Sequence, residues 1–260
     1  MKENLCLKAL RAGQVQYGCG YGQLRQTEVI NALAKAGFNW AFIDMEHGAF
    51  DFETIQDLCR MARLVGLSPV VRVAEMQYAL VARALDCGAE GIMLPRVEDP
   101  RQLEEAISWT KYPPQGIRGY GLTPTNLDYE VVTIPQAIEH INRNVMVAFQ
   151  IETAAGVERR DELISVPGVD VLMVGPADLS ISLGVPGDFM NPKQVEAMTQ
   201  IRDTCHKYNV IPGTQTRTTQ LARFWKENGM LFLGCSNETS MLYERATEII
   251  KDLKAAPPIQ

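Results

Sequence analysis

Short apolar runs alternate with longer stretches of helical periodicity along all 260 residues of this chain. The apolar runs cover 15–19, 40–44, 69–73, 91–94, 145–151, 169–174, 210–212 and 231–234. Most are apolar at successive positions, the pattern of parallel strands covered on both faces. Between them, apolar residues recur at the three-to-four spacing of amphipathic helices over 27–36, 52–64, 79–86, 100–110, 192–208, 218–228 and 238–253. Hinges such as Ala36-Gly37, Cys87-Gly88, Pro167-Gly168 and Asn228-Gly229 end elements in a left-handed turn that aims the chain into the next strand. Eight strands, each followed by a crossover, predict an α/β fold: a single (β/α)8 TIM barrel spanning 1–260. A flavodoxin-like sheet needs only about five strands. The stretch 111–144 breaks the rhythm with Pro113-Pro114, Gly116, Gly119 and Gly121 before a short helix at 135–142. It is expected to lie as a long loop above the barrel mouth, after the fourth strand.

Composition narrows the picture. No linker or low-complexity segment divides the chain, and 46% hydrophobic residues suffice for one core. With 25 basic against 31 acidic residues and no basic run, nothing supplies a nucleic-acid surface. No apolar run approaches the ~18 residues that cross a bilayer. Lys2, Glu3, Lys8 and Arg11 interrupt the start of the chain, unlike a signal peptide. The six cysteines have no C-x-x-C spacing and read as reduced thiols, so the expected location is cytoplasmic, with neither nucleic acid nor membrane as partner.

In a barrel of this kind the chemistry gathers at the C-terminal ends of the strands. The polar residues there are few: Asp44-Met45-Glu46-His47 after the second strand, Arg72 after the third, Arg96 after the fourth, Gln150 and Glu152 after the fifth, and Asp178 just beyond the sixth. Two convergent carboxylates, Glu152 and Asp178, are costly without a cation between them. An all-oxygen pair suits Mg²⁺ or Mn²⁺, with positions left for a chelating 2-oxo acid. Arg72 suits developing enolate charge, and His47 is the group able to move a proton near neutrality. The backbone amides of Ala177 and Asp178 open a short helix and suit a substrate carboxylate. Plainer roles compete: Arg72 as a partner for Asp44, the two carboxylates as helix caps, His140 and His206 as helix-surface residues. All nine lysines fall outside the predicted strands, which disfavours a Schiff-base aldolase.

The segments Phe42-Ile43-Asp44-Met45-Glu46-His47, Pro69-Val70-Val71-Arg72, Leu94-Pro95, Tyr112-Pro113-Pro114-Gln115-Gly116-Ile117-Arg118-Gly119, Gln150-Ile151-Glu152-Thr153 and Gly175-Pro176-Ala177-Asp178-Leu179-Ser180 occur together in order. Over residues 5 to 250 the chain thus resembles the metal-dependent class II pyruvate aldolases (the HpcH/HpaI family), typified by 4-hydroxy-2-oxoheptanedioate and 2-dehydro-3-deoxyglucarate aldolases. The resemblance implies Glu152 and Asp178 as ligands of a divalent cation (Mg²⁺, Mn²⁺ or Co²⁺), and Gln150, Ala177 and Asp178 as pyruvyl contacts. It also implies Arg72 as enolate stabiliser, His47 as base through a bound water, and Asp86 as the carboxylate that raises its basicity. The strand map puts Asp86 at a helix end away from its own mouth, so that role is either indirect or crosses a subunit boundary. The resemblance further implies a homo-oligomer, dimer to hexamer, with the last helix packed on a neighbouring barrel. Departures fall on the acceptor side: Tyr120-Gly121-Leu122-Thr123-Pro124-Thr125, Pro212-Gly213-Thr214-Gln215-Thr216, and Cys235-Ser236-Asn237 where a Gly-x-Asp is common. The expected reaction is reversible cleavage of a 4-hydroxy-2-oxo acid to pyruvate and an aldehyde through a metal-bound enolate. Oxaloacetate decarboxylation and a non-catalytic 2-oxo-acid binder are the alternatives.

Overall fold

A computed structural model describes residues 1–255 and shows eight parallel strands closed into a barrel in sequence order. The strands are β1 (Gln16–Tyr21), β2 (Trp40–Asp44), β3 (Ser68–Arg72), β4 (Gly91–Leu94), β5 (Met146–Ile151), β6 (Val171–Val174), β7 (Ile211–Thr216) and β8 (Phe232–Asn237). The continuous apolar runs are strands buried on both faces, as β3, β4, β5 and β6 show along their whole length. Their outward side chains pack against the surrounding helices, among them Ile43, Val71, Ile92, Phe149 and Leu172. Their inward side chains fill the barrel as a second cluster, in which Trp40 stacks on Phe232 at 3.8 Å.

An N-terminal helix, Leu5–Arg11, closes the bottom of the barrel by adding Cys6, Leu7 and Leu10 to that interior cluster. Asn4 holds it there: its Oδ1 accepts from Leu7 N at 2.9 Å, and its Nδ2 donates to the Glu90 carbonyl at 3.0 Å. The sequence reading has no element here, because seven residues are too few to display a helical period.

Strands β7 and β8 run well past their expected ends, through Thr214-Gln215-Thr216 and Cys235-Ser236-Asn237. Ladder bonds use the backbone, so polar side chains do not end a strand when both neighbours are in place. The long loop is a correction. The helix Pro100–Ser108 carries the chain from the mouth back down before the loop begins, so the loop packs at the opposite face of the barrel. There Asn126 Nδ2 donates to the Asp86 carbonyl at 2.9 Å, and Asp128 accepts from Arg63 at 3.1 Å and from Lys2 N at 2.7 Å. Two more helical pieces, Pro124–Leu127 and Ile134–Asn144, bring the chain to β5.

Candidate active site

At the end of β2, Asp44 Oδ1 accepts from the backbone N–H groups of Glu46 (2.9 Å) and His47 (3.3 Å), which curls the chain into a tight turn. Gly48 is required there, since a Cβ on it would stand 2.1 Å from the Asp44 carbonyl oxygen. The register pairs Asp44 with Arg72 at the end of β3. Their side chains form a two-pronged ion pair, Nε to Oδ1 at 2.9 Å and NH2 to Oδ2 at 2.6 Å. The plainer role weighed for Arg72 is therefore real, and it does not exhaust the residue. Its NH1 donates to Gln150 Oε1 at 3.2 Å and lies 3.0 Å from Glu46 Oε2. That second contact is an ion pair without hydrogen-bond alignment, so the buried Glu46 oxygen has no true donor. Burial alone would raise the Asp44 carboxyl, yet the Arg72 guanidinium and the two turn amides hold it below its ordinary value.

Glu152 sits next to this cluster and is only 3% exposed. Burial first, then the charges of Glu46 and Asp178, push its carboxyl up to about 7 against the pull of Arg72. Its Oε1 accepts from Arg96 N at 3.0 Å. Arg96 holds a left-handed backbone (φ 50°), strain that aims this amide at the carboxylate while its Nε reaches Glu46 at 3.2 Å. Gly175, before the helix Pro176–Ser182, leaves the space that Glu152 occupies: a Cβ there would lie 2.5 Å from Glu152 Oε2. Asp178 is in the first turn of that helix, held through Ser180 Oγ donating to the Ala177 carbonyl at 2.6 Å and through Gln194 Nε2 donating to the Pro176 carbonyl at 3.0 Å.

His47, Arg72, Gln150, Glu152, Ala177 and Asp178 thus line one cavity, open to solvent, at the C-terminal end of the strands. Asp86 is the exception. It ends the helix Tyr78–Asp86 on the opposite face, where its Oδ1 accepts from Arg118 at 2.7 Å. Among the lysines, Lys111 resembles a Schiff-base residue most, since burial depresses it to about 8. It stands at that far face too, donating to the Asn142 and Val145 carbonyls at 2.8 and 2.9 Å. Among the described residues no barrel strand carries a lysine.

Sequence reasoning left Glu46 and Arg96 without roles. Both stand in strand-end runs, and only the three-dimensional register shows them bridging Arg72 to Glu152. It also missed Glu238, a buried carboxylate whose Oε1 accepts from the N–H groups of Gly22, Gln23 and Leu24 at 2.9, 2.6 and 3.1 Å and so fixes the loop after β1. Among the described residues, no group of three or more His, Cys, Asp or Glu gathers as a ready metal cage. A hard cation on a carboxylate pair keeps most of its positions for water and substrate, which is the habit of Mg²⁺.

The family model for HpcH/HpaI aldolase/citrate lyase matches residues 20–240. The chain is 34% identical over 226 residues to a 2-dehydro-3,6-dideoxy-6-sulfogluconate aldolase of Pseudomonas putida, covering 86% of this chain and 87% of that one. It is 32% identical over 248 residues to a 4-hydroxy-2-oxo-heptane-1,7-dioate aldolase of Escherichia coli, covering 95% and 94%. The crystal structure of an HpcH/HpaI aldolase from Desulfitobacterium hafniense DCB-2 superposes with a TM-score of 0.92 at 30% identity, over 97% of this chain and 98% of that one. A closed barrel with its acids, amide and arginine at one mouth, matched over nearly its whole length by these proteins, belongs to the HpcH/HpaI aldolase/citrate lyase family.

Proposed function

We propose that this chain is a divalent-cation-dependent aldolase that reversibly cleaves a 4-hydroxy-2-oxo acid to pyruvate and an aldehyde. The observation that carries it is the meeting of Glu152, Asp178, Gln150 and Arg72 in one cavity with His47 at its edge. The carboxyl pushed up to about 7 supports a cation site, because a buried acid beside two others is relieved by positive charge. A divalent cation on Glu152 and Asp178, Mg²⁺ or Mn²⁺ by the hardness of the donors, would act as a Lewis acid on the 2-oxo acid.

The chain's own residues supply the rest. Gln150, whose Oε1 is taken by Arg72, offers its Nε2 to the pyruvyl end, beside the backbone amides of Ala177 and Asp178. His47 takes the C4 hydroxyl proton as the C3–C4 bond breaks and the aldehyde carbonyl forms. The bonding pair moves toward the C2 oxygen, and Arg72, held by Asp44, stabilises that charge before C3 is protonated to give pyruvate. Decarboxylation of oxaloacetate ends at the same enolate and should proceed at the same site. A binder without turnover has no use for His47 on the turn.

Two further parts of the reading concern assembly. The helix Glu238–Ala255 stands away from its barrel, with Leu242, Tyr243 and Leu253 at 62, 73 and 66% exposure. A groove beside it, lined by Tyr17, Phe38, Ala222 and Met241, runs over β1 and β8. The helix and groove support a homo-oligomer in which each subunit's last helix covers the next barrel. In such an assembly Asp86 would serve a neighbour's His47. All six cysteines are free thiols, which suits a reducing cytoplasm.

Pyruvate release from 4-hydroxy-2-oxo acids or oxaloacetate with Mg²⁺ or Mn²⁺ tests the proposal. Release should stop with EDTA and fall about 100-fold or more in His47→Ala. Release indifferent to chelation would remove the cation from the reaction.

A further inference from the structure

His47 stands on the turn after β2 with nothing in its own chain to aim its ring. Among the described residues the ring makes no hydrogen bond, Glu46 Oε1 stands 3.9 Å away, and the side chain is 57% exposed. Its backbone N–H donates to Asp44 Oδ1 at 3.3 Å, a bond that belongs to the turn and not to the imidazole. A general base works only when something orients it. Here the orientation falls to the backbone of residues 44–50.

Asp44 holds that turn from one side, and the loop after β1 holds it from the other. Gly22 and Gly48 pack backbone to backbone: a Cβ on Gly48 would stand 2.8 Å from the Gly22 carbonyl oxygen, and one on Gly22 would lie 3.9 Å from Gly48 Cα. Arg25 NH2 donates to the Ala49 carbonyl at 3.0 Å, clasping the two loops together. Tyr21 Oη donates to the Gln26 carbonyl at 2.9 Å, and the Tyr21 ring lies 6.0 Å from that of Phe50. Residues 22–26 form neither helix nor strand, so their shape needs an outside support. Three successive amides, of Gly22, Gln23 and Leu24, find it in the single oxygen Glu238 Oε1. Glu238 is 4% exposed and sits where β8 passes into the last helix. Asn237 Oδ1 fixes that junction by accepting from Thr239 Oγ1 at 2.9 Å and Ser240 N at 2.8 Å. A carboxylate oxygen grips amides about twice as strongly as a neutral one.

We propose that Glu238 is a positioning residue for His47, acting through the loop 22–26. The path runs from Glu238 to the amides of Gly22, Gln23 and Leu24, and from Gly22 and Arg25 to Gly48 and Ala49 beside the base. The inference rests on the aldolase reading for what His47 does. Aldol cleavage asks His47 for its help, since the C4 hydroxyl loses a proton as the C3–C4 bond breaks. Oxaloacetate loses carbon dioxide from a carboxylate that is already ionised, so its breakdown has no such proton to move. A slackened loop should therefore divide the two reactions, whereas general damage to the barrel slows both.

Hydrogen exchange read by mass spectrometry, together with steady-state kinetics in Mn²⁺, tests this in Glu238→Ala, Glu238→Gln and Arg25→Ala. In Glu238→Ala, exchange should quicken at residues 20–26 and 44–50 alike, with β3 to β6 as protected as in the wild-type protein. The kcat for pyruvate release from a 4-hydroxy-2-oxo acid should fall about 10- to 100-fold, the cost of misplacing a catalytic group by about 1 Å. KM for that substrate and pyruvate release from oxaloacetate should stay at the wild-type level. Glu238→Gln keeps an oxygen for the three amides and should restore most of the lost rate. Arg25→Ala cuts a later clasp on the same path, so it should show the same division more weakly, and it decides the matter should Glu238→Ala not fold. Exchange that quickens at 20–26 and not at 44–50, or equal losses in the two reactions, overturns the proposal. So does aldol cleavage that survives Glu238→Ala unchanged. Exchange coupled between the two loops in a protein that releases pyruvate from neither substrate would sink the aldolase reading and leave Glu238 as the brace of the His47 turn.

Discussion

In Asp44 and Arg72 a structural contact and a proposed chemical role share one side chain. The pair is nearly buried, 14% and 8% exposed, and its guanidinium also faces Gln150 and Glu46. Removing one member strands the other, so Asp44→Ala should lower unfolding stability by on the order of 3 kcal/mol in urea. Turnover should fall in the same variant, because Arg72 loses its aim. Glu152 gives a pH dependence whose sign is fixed. Its folded value, about 7, lies above the ordinary 4.5. Its contribution to stability is therefore whole below about 4.5 and lost as pH rises through about 7. Cation binding needs the ionised form, so Mn²⁺ affinity should climb between pH 6 and 8 and level off above. Titrations showing a flat affinity over that interval would count against Glu152 as a ligand. At this scale the strand-end residues were legible in the sequence, since a continuous apolar run shows where its strand stops. The Glu46–Arg96 bridge was not, because it depends on register and on one left-handed backbone.

Elements carry their own prediction. Gly175 closes β6 at the one place where Glu152 needs room. Gly175→Ala should move that carboxylate and weaken Mn²⁺ binding about 10- to 100-fold, as loss of support around a metal ligand does. Circular dichroism should show an unchanged barrel. The helix ends read well from sequence, because hinge glycines such as Gly37 and Gly229 mark them. The tails of β7 and β8 did not, since their polar side chains hide backbone ladders that only neighbouring strands reveal. The loop after the helix Pro100–Ser108 went to the wrong face for a related reason. Its composition says loop, whereas its location depends on which end of the preceding helix it leaves.

For the whole molecule, the barrel was legible because each strand–helix unit is local and the count of units decides closure. Assembly was not, since an exposed apolar helix face is explained only by what covers it. Light scattering should return a mass well above one chain for the intact protein. Leu242→Glu with Tyr243→Glu should shift that mass toward the monomer, and pyruvate release should fall with it if Asp86 acts between subunits.

The helix Leu5–Arg11 stoppers the barrel from below, which leaves the cavity at the strand ends open on the mouth side. Whatever binds deepest must enter first and leave last. On the proposed reading pyruvate would sit by Gln150 beneath the aldehyde, and should therefore queue behind it on release and precede it in synthesis. Product inhibition that is competitive for pyruvate and mixed for the aldehyde would be the kinetic trace of that stopper.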